Sequence, residues 1–263
     1  MTAEAKKQTR TVASWLSSVP EKSIPLLAVV TALAIGAIVI WSTKASVVKA
    51  YQGLIEGALL GVNNFTETLV IATPYTLAGL AVALASRCGL FNIGAEGQFF
   101  VGALGSAYVG YSITGLPWYI HLPLAILGGA VAGGIWGAIP GFLKAKFGAH
   151  EVVNTIMMNW IAFRLSDWLL TGPMMASGFR PVTPTIQKAA ELPRFFPEPL
   201  RFNWGFVLAL VVAYLVYWFL FKTTLGFEIR SVGANPDGSK YAGMSIVRNF
   251  VLVMILSGGL AGM

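Results

Sequence analysis

Three polar side chains interrupt one of the most apolar parts of the chain. The stretch 89–100, GLFNIGAEGQFF, carries Asn92, Glu96 and Gln98 between two strongly hydrophobic segments. Carboxylate and amide groups are costly in contact with lipid, so we expect them to face the interior of a helix bundle or a wet cavity. There they would hydrogen-bond a polar solute that crosses the membrane, and Glu96 could instead carry a proton.

Two further amides, Asn154 and Asn159, lie in a later apolar segment and are predicted to line the same solute pathway. Gly94 and Gly97 lack a β-carbon, so the helix can break there or another backbone can approach closely. The alternative for all of these polar groups is a hydrogen-bonded cluster that fixes helix packing without contacting a solute.

The sequence lacks the common motifs of phosphate-binding and hydrolytic enzymes. It contains no G-x-x-x-x-G-K-[ST], no H-E-x-x-H and no G-x-S-x-G. Cys88 is the only cysteine, which excludes an internal disulfide and a cysteine-based metal site. His121 and His150 are predicted on opposite sides of a membrane, so they cannot share a metal ion. We therefore expect no catalytic residues, no metal site and no cofactor bound by this chain.

One oppositely charged pair falls inside an apolar segment. Arg164 and Asp167 are three residues apart, which brings them together on one helical turn. Each charge would be costly if buried alone, so a mutual ion pair is predicted. A gate at the outer mouth of a pathway is the alternative.

The composition is that of a membrane protein. Of 263 residues, 56% are hydrophobic and only 11% are charged, whereas soluble domains carry about 25% charged residues. The formal net charge is +7, which the Lys and Arg residues of cytoplasmic loops explain without a nucleic-acid partner. These features predict an all-α fold, a polytopic transmembrane helical bundle in a lipid bilayer.

Long uncharged runs determine the predicted topology, because a helix needs about 20 apolar residues to cross a bilayer. The excess of Lys and Arg on one side places the N-terminus in the cytoplasm. Residues 1–23 are then a cytoplasmic segment, and residues 24–263 form the transmembrane domain. The final span ends without a polar flank, so we expect that further chain follows it; the alternative is that its end is buried against another subunit. At least seven spans are predicted, at approximately 24–42, 67–86, 90–114, 118–143, 152–170, 203–221 and 249 onward.

Glycines at four-residue spacing predict close helix packing, because the missing β-carbon lets backbones approach. The ridge predicted here either packs helices within the chain or lines a dimer interface, and it comprises Gly129, Gly133, Gly137 and Gly141. Residues 49–67 are too polar to span a membrane and are predicted to form a short helix on the outer surface.

Two loops have features of binding surfaces. The proline-rich outer loop 171–203 is predicted to dock a solute-binding protein or, alternatively, to form a lid over the helices. The cytoplasmic loop 222–248 is long enough for a short helix between two turns. In that loop Asn235–Pro236 starts a turn, Asp237 can cap a helix and Gly243 can end the segment.

Four stretches of the chain carry a family resemblance. GLFNIGAEGQ at 89–98 resembles the signature of the permeases of ATP-binding-cassette (ABC) importers for branched-chain amino acids and simple sugars, especially the nucleoside-importing branch. Residues 68–92 are similar to the helix that leads into that signature, and 142–162 to a cytoplasmic turn and the following helix. Residues 224–244 resemble the loop through which such permeases engage their ATPase.

The resemblance implies a type II ABC-importer fold in a bacterial inner membrane and ATP-driven uptake of a nucleoside-like or simple-sugar-like solute. The implied partners are separate ATPase subunits that use the ATP, a solute-binding protein and a second related permease, as a heterodimer or else a homodimer. A proton-coupled secondary transporter that uses Glu96 is the alternative. The residues implied to couple this chain to the ATPase are Arg230, Gly233, Asn235, Pro236, Asp237, Tyr241, Ala242 and Gly243.

Overall fold

A computed structural model describes residues 23–178 and 180–263, and its regular structure is helical. An antiparallel bridge between Arg194 and Asn203 and a 3-10 turn at Lys188–Ala190 lie in the long loop 172–204. The described residues form helices α1 Ile24–Ser42, α2 Val47–Leu59, α3 Val62–Arg87, α4 Ala95–Ser112, α5 Trp118–Phe147, α6 Glu151–Thr171, α7 Gly205–Lys222, α8 Thr224–Ala234, α9 Pro236–Tyr241 and α10 Ile246–Gly262.

The predicted membrane character is confirmed by four helices. α1, α3, α5 and α7 are long and apolar enough to cross a bilayer. Three other predicted spans coincide with α4, α6 and α10, which are shorter or more polar, so their crossing of the membrane stays a prediction. The predicted cytoplasmic segment 1–23 lies, except for its last residue, outside the described residues.

The chain divides into two compact units, one that ends at Phe65 and one formed by Thr66–Met263. In the first unit, the Ser46 side chain caps α2 by accepting a hydrogen bond from Lys49 N. The Tyr51 hydroxyl donates to Leu33 O and ties α2 to α1. The predicted short helix within 49–67 is therefore present as α2, and its position on the outer surface stays a prediction.

A glycine seam between α5 and α10 forms the centre of the second unit. A β-carbon at Gly133 would overlap Gly258 O and would lie 2.8 Å from Gly262 Cα. A β-carbon at Gly137 would lie 3.1 Å from Gly258 Cα, and one at Gly129 would lie 3.2 Å from Gly102 O in α4. The predicted ridge thus packs helices within this chain, and close packing of this kind is what stabilises helix pairs in lipid.

A hydrophobic core in the same unit joins α3, α7, α8 and α10. Its largest fully buried side chains are Leu84, Leu90, Ile229, Val253 and Met254. Because α8 contributes to this core, the segment after α7 is built into the bundle rather than suspended as a loop.

The predicted span 90–114 begins five residues later than expected, because α4 starts at Ala95. Gly89 has a φ of +75°, a left-handed conformation that ends the preceding helix. Asn92 Oδ1 then accepts a hydrogen bond from Gly94 N at 2.9 Å, which favours a turn over a helix. The first half of the signature is therefore a folded connection between α3 and α4.

Candidate functional site

A buried hydrogen-bond network is centred on Asn92, whose side chain is only 1% exposed. Asn92 Nδ2 donates to Gln98 Oε1 at 2.8 Å and to Ser257 Oγ at 2.8 Å. The Ser257 hydroxyl in turn donates to Ala81 O at 2.7 Å. These bonds connect α3, α4 and α10 through the connection before α4, and they satisfy polar groups that would otherwise be costly to bury.

Asn159 attaches α6 to the beginning of α4. Its Oδ1 accepts a hydrogen bond from Gly97 N at 2.9 Å, and its Nδ2 donates to Ile93 O at 3.1 Å. Gly97 N belongs to the first turn of α4, where backbone N–H groups have no partner within the helix. The Asn159 side chain of α6 therefore caps the N-terminus of α4. A β-carbon at Gly97 would lie 2.7 Å from Asn159 Oδ1, which explains the glycine.

An open groove of about 580 Å³ lies on the other side of this contact, between α4 and α6. We call it the α4–α6 groove. The rings of Phe100 and Phe163 meet edge to face inside it, with their centroids 5.0 Å apart. Its lining includes Glu96, Phe100, Phe163, Ser166, Asp167 and Thr183.

The predicted pairing of Arg164 with Asp167 is present, and the pair is exposed on α6. Arg164 Nη1 and Asp167 Oδ2 are 3.8 Å apart, and the two side chains are 83% and 72% exposed. The pair is exposed because the faces of α6 that pack on α4 and α5 carry other residues, such as Asn159 and Met158.

Two short helices, α8 and α9, form the segment that was predicted to contact an ATPase. Asn235 lies between them, and its Oδ1 accepts a hydrogen bond from Gly238 N at 2.9 Å. Asn235, and not the predicted Asp237, therefore caps α9. Tyr241 ends this helix with 98% of its surface exposed, and Gly243 reverses the chain with a φ of +84°.

α8 connects α9 rigidly to the helix bundle. Val232 is fully buried, and a β-carbon at Gly233 would lie 2.8 Å from Cys88 C in the turn after α3. On the other side, Glu228 forms an ion pair with Arg248 of α10. The hydrogen bond from Arg248, aided by one from Asn249, holds the pKa of Glu228 below its ordinary value of 4.5.

Comparison with known proteins identifies the family. Residues 64–263 match the model of the permease component of branched-chain amino acid transport systems. The chain belongs to this permease family. Because the match begins at residue 64, it includes the buried network, the α4–α6 groove and the α8–α9 pair.

Individual relatives of the permease agree with this assignment. This chain is 42% identical to the guanosine ABC transporter permease NupP of Bacillus subtilis over 244 residues, which are 91% of this chain and 69% of that protein. It is 35% identical to the glucose ABC transporter permease TsgB13 of Haloferax volcanii, over 97% of this chain and 68% of that one. The nucleoside ABC transporter permease NupB of Lactococcus lactis is 33% identical, over 91% and 68%. No solved structure matches the chain.

The five polar residues predicted to line a solute pathway lie in three different environments of the permease. Asn92, Gln98 and Asn159 are buried in contacts between helices, Glu96 is exposed in the α4–α6 groove, and Asn154 is half-buried in the first turn of α6. Within residues 23–178 and 180–263, no three His, Cys, Asp or Glu side chains cluster as a metal site requires.

Phe100, Phe163 and Asp167 are not among the residues predicted from the sequence to line a solute pathway. Helical spacing could have grouped these residues with their neighbours on one face of each helix. Residues 96, 100, 103 and 107 share one face of α4, and residues 163, 166, 167 and 170 share one face of α6. What the sequence did not give was that these two faces meet.

Proposed function

We propose that the chain is the transmembrane permease subunit of an ATP-driven ABC importer that moves a nucleoside or a simple sugar into the cell. It would lie in the cytoplasmic membrane with its N-terminus inside and cross the bilayer repeatedly. The relatives' transport of guanosine, nucleosides and glucose supports the solute class. ATP binding and hydrolysis would belong to separate ATPase subunits, and the chain itself would bind no cofactor.

The observation that carries the proposal is the exposed Tyr241 at the tip of α9. A large aromatic side chain that is 98% exposed on a short, capped helix suits insertion into a cleft of a partner protein. Tyrosine is among the residues that dominate binding energy at protein interfaces. An ATPase subunit on the cytoplasmic side is the partner that the family membership favours.

The attachment of α8 explains how such a contact would move the membrane helices. Force on α9 reaches α8 through Asn235, and Gly233 passes it by direct backbone contact to the turn after α3. Asn92 follows that turn within a few residues and leads into the buried network. A continuous series of contacts therefore links the α8–α9 pair to α4 and α10, through which a movement of α9 would reach these helices.

The other partners follow from the same proposal. A second, related permease would contact α6 at the exposed Arg164, which lies outside the α4–α6 groove and whose charge is costly in contact with lipid. A heterodimer is favoured, and a homodimer would serve the same purpose. A solute-binding protein would deliver the solute to the outer loop 171–203.

The test is Tyr241→Ala in the transporter assembled with its ATPase. Removal of an aromatic interface anchor typically costs about 2 kcal/mol or more, so ATPase co-purification and ATP-driven guanosine uptake should both fall roughly tenfold or more. Tyr214→Ala is the matched control, because Tyr214 is a 66% exposed tyrosine on α7 and not on α9. Equal uptake by the two variants would contradict the proposal.

A proton-coupled carrier that uses Glu96 gives the opposite results. Uptake would continue without any ATPase, would collapse with the proton gradient and would lose its coupling in Glu96→Gln. In the ABC importer that we propose, Glu96→Gln leaves ATP dependence intact.

A further inference from the structure

The α4–α6 groove places two carboxylates on either side of an aromatic pair. Three contacts fix the register of the helices: Gly94 with Thr155, Gly97 with Asn159, and Phe100 with Phe163. The residue numbers rise together along both helices, so α4 and α6 run side by side in the same direction. Positions along one helix can therefore be compared directly with positions along the other.

This register determines the spacing of the polar groups. Glu96 lies one helical turn before Phe100, and Asp167 lies one turn after Phe163, each about 6 Å along the helix axis. The carboxylates are thus separated along the groove by about 12 Å, with the rings between them. Acceptors at both ends and an apolar middle form one elongated site.

Contact with lipid would be costly for this groove. Glu96 and Asp167 are exposed within it, and a charged side chain in a membrane is costly unless it faces water, protein or a polar ligand. Arg164 offsets the charge of Asp167 from outside the lining, at 3.8 Å. The groove lining carries two acidic side chains and no basic one.

We propose that the α4–α6 groove binds a purine nucleoside, with the base against Phe100 and Phe163 and with Glu96 and Asp167 accepting hydrogen bonds from the two ends of the solute. The proposal rests on the transport function proposed above and names the groove as its solute site. Ribose hydroxyls and base N–H groups are donors, and an ionised carboxylate accepts hydrogen bonds but donates none. Aromatic side chains bind nucleic-acid bases by stacking on the ring face.

The lining favours a nucleoside over the other solutes of the family. A sugar needs polar partners on all sides, but Ser166 already donates its hydroxyl to Ala162 O at 2.8 Å, and much of the remaining lining is apolar. A zwitterionic amino acid would place its carboxylate near Glu96 or Asp167. A volume of about 580 Å³ is within the usual range of small-molecule sites, about 300–1,000 Å³.

The same carboxylates give a rule of selectivity. A nucleoside monophosphate carries a charge of about −1.5 to −2 at neutral pH, and like charges repel strongly where water is scarce. We infer that the groove accepts nucleosides and rejects their phosphorylated forms. Glu96 and Asp167 are the residues that make this distinction.

The test is photolabelling of the full chain, in its membrane assembly in nanodiscs, with 8-azidoguanosine. We expect labelled peptides from residues 96–107 or 163–170, protected by guanosine and not by guanosine 5′-monophosphate or glucose. Phe100→Leu keeps apolar bulk and should fold, yet it should weaken protection by guanosine roughly tenfold. Phe99→Leu is the matched control, because Phe99 lies outside this groove and should leave protection unchanged.

A double substitution tests the proposed rejection of phosphorylated nucleosides. In Glu96→Gln with Asp167→Asn, guanosine 5′-monophosphate should begin to protect against labelling. Labelling outside the groove, equal effects of the two phenylalanine substitutions, or protection of the unmodified protein by the monophosphate would each overturn the proposal. If uptake is driven by ATP but labelling occurs elsewhere, only the assignment of the groove as the solute site is wrong. If labelling occurs in the groove but uptake does not depend on ATP, the importer function is wrong and the solute site is retained.

Discussion

Replacing Gly97 with alanine tests the close approach of α4 to α6 on which the candidate site depends. A β-carbon at Gly97 would lie 2.7 Å from Asn159 Oδ1 and 2.9 Å from Asn159 Cα. The second contact is with the backbone of α6, so a change of the Asn159 rotamer cannot relieve it. Asn159 is also held by its hydrogen bonds to Gly97 N and Ile93 O, at 2.9 and 3.1 Å.

The expected cost has three parts. Overpacking a close-packed interior costs about 1–3 kcal/mol. Loss of the hydrogen bond between Gly97 and Asn159 adds about 1 kcal/mol. The higher helix propensity of alanine returns about 1 kcal/mol. We therefore expect Gly97→Ala to lower the free energy of unfolding by about 1–3 kcal/mol.

Gly79→Ala is the matched control, because a β-carbon there meets nothing within 4 Å and Gly79 also lies inside a helix. It should leave stability unchanged or raise it by up to about 1 kcal/mol. The assay is unfolding of the purified protein in one detergent, followed by circular dichroism and size-exclusion chromatography. If Gly97→Ala proves as stable as Gly79→Ala, the packing of α4 against α6 described above is wrong.

Two further predictions use the same unfolding assay. Asn92→Leu should lower stability by at least about 2 kcal/mol, since Gln98 and Ser257 lose their shared partner while buried, and wild-type stability in this variant would contradict the network. Glu228→Gln should destabilise the protein only where the carboxylate is ionised. The Arg248 hydrogen bond lowers the pKa of Glu228, so its stabilising effect is complete above the ordinary value of 4.5 and is lost as the pH falls through the lowered pKa. A pH series should therefore show the wild type and the variant converging in acid, and a difference that persists there would refute the ion pair.

The membrane class of this protein is determined locally and could be predicted from the sequence. An apolar run of about 20 residues identifies a spanning helix wherever it lies in the chain, because the bilayer itself supplies the constraint. The helices α1, α3, α5 and α7 satisfy that constraint without reference to any neighbour. The family was also predictable, since its motifs are contiguous stretches such as 89–98.

The sequence left the ends of elements and the roles of polar groups open. The choice of Ala95 over residue 90 as the start of α4 depends on Gly89 and on the turn made by Asn92. Whether 222–248 is a free loop depends on the burial of Ile229 in the core. The first outcome rests on a local turn that the hydrophobic pattern does not reveal, and the second on contacts with parts of the chain far away in sequence.

The sequence by itself determined that Asn92, Glu96 and Gln98 form a polar interruption in a membrane protein, because residue type and hydropathy are local properties. Only the tertiary structure decided that Asn92 and Gln98 turn into the bundle while Glu96 faces a groove opposite Phe163 and Asp167. Helical periodicity states which residues share a face of one helix. Which face meets another helix is decided by packing, here by Gly97 against Asn159 and by the glycine seam of α5 and α10.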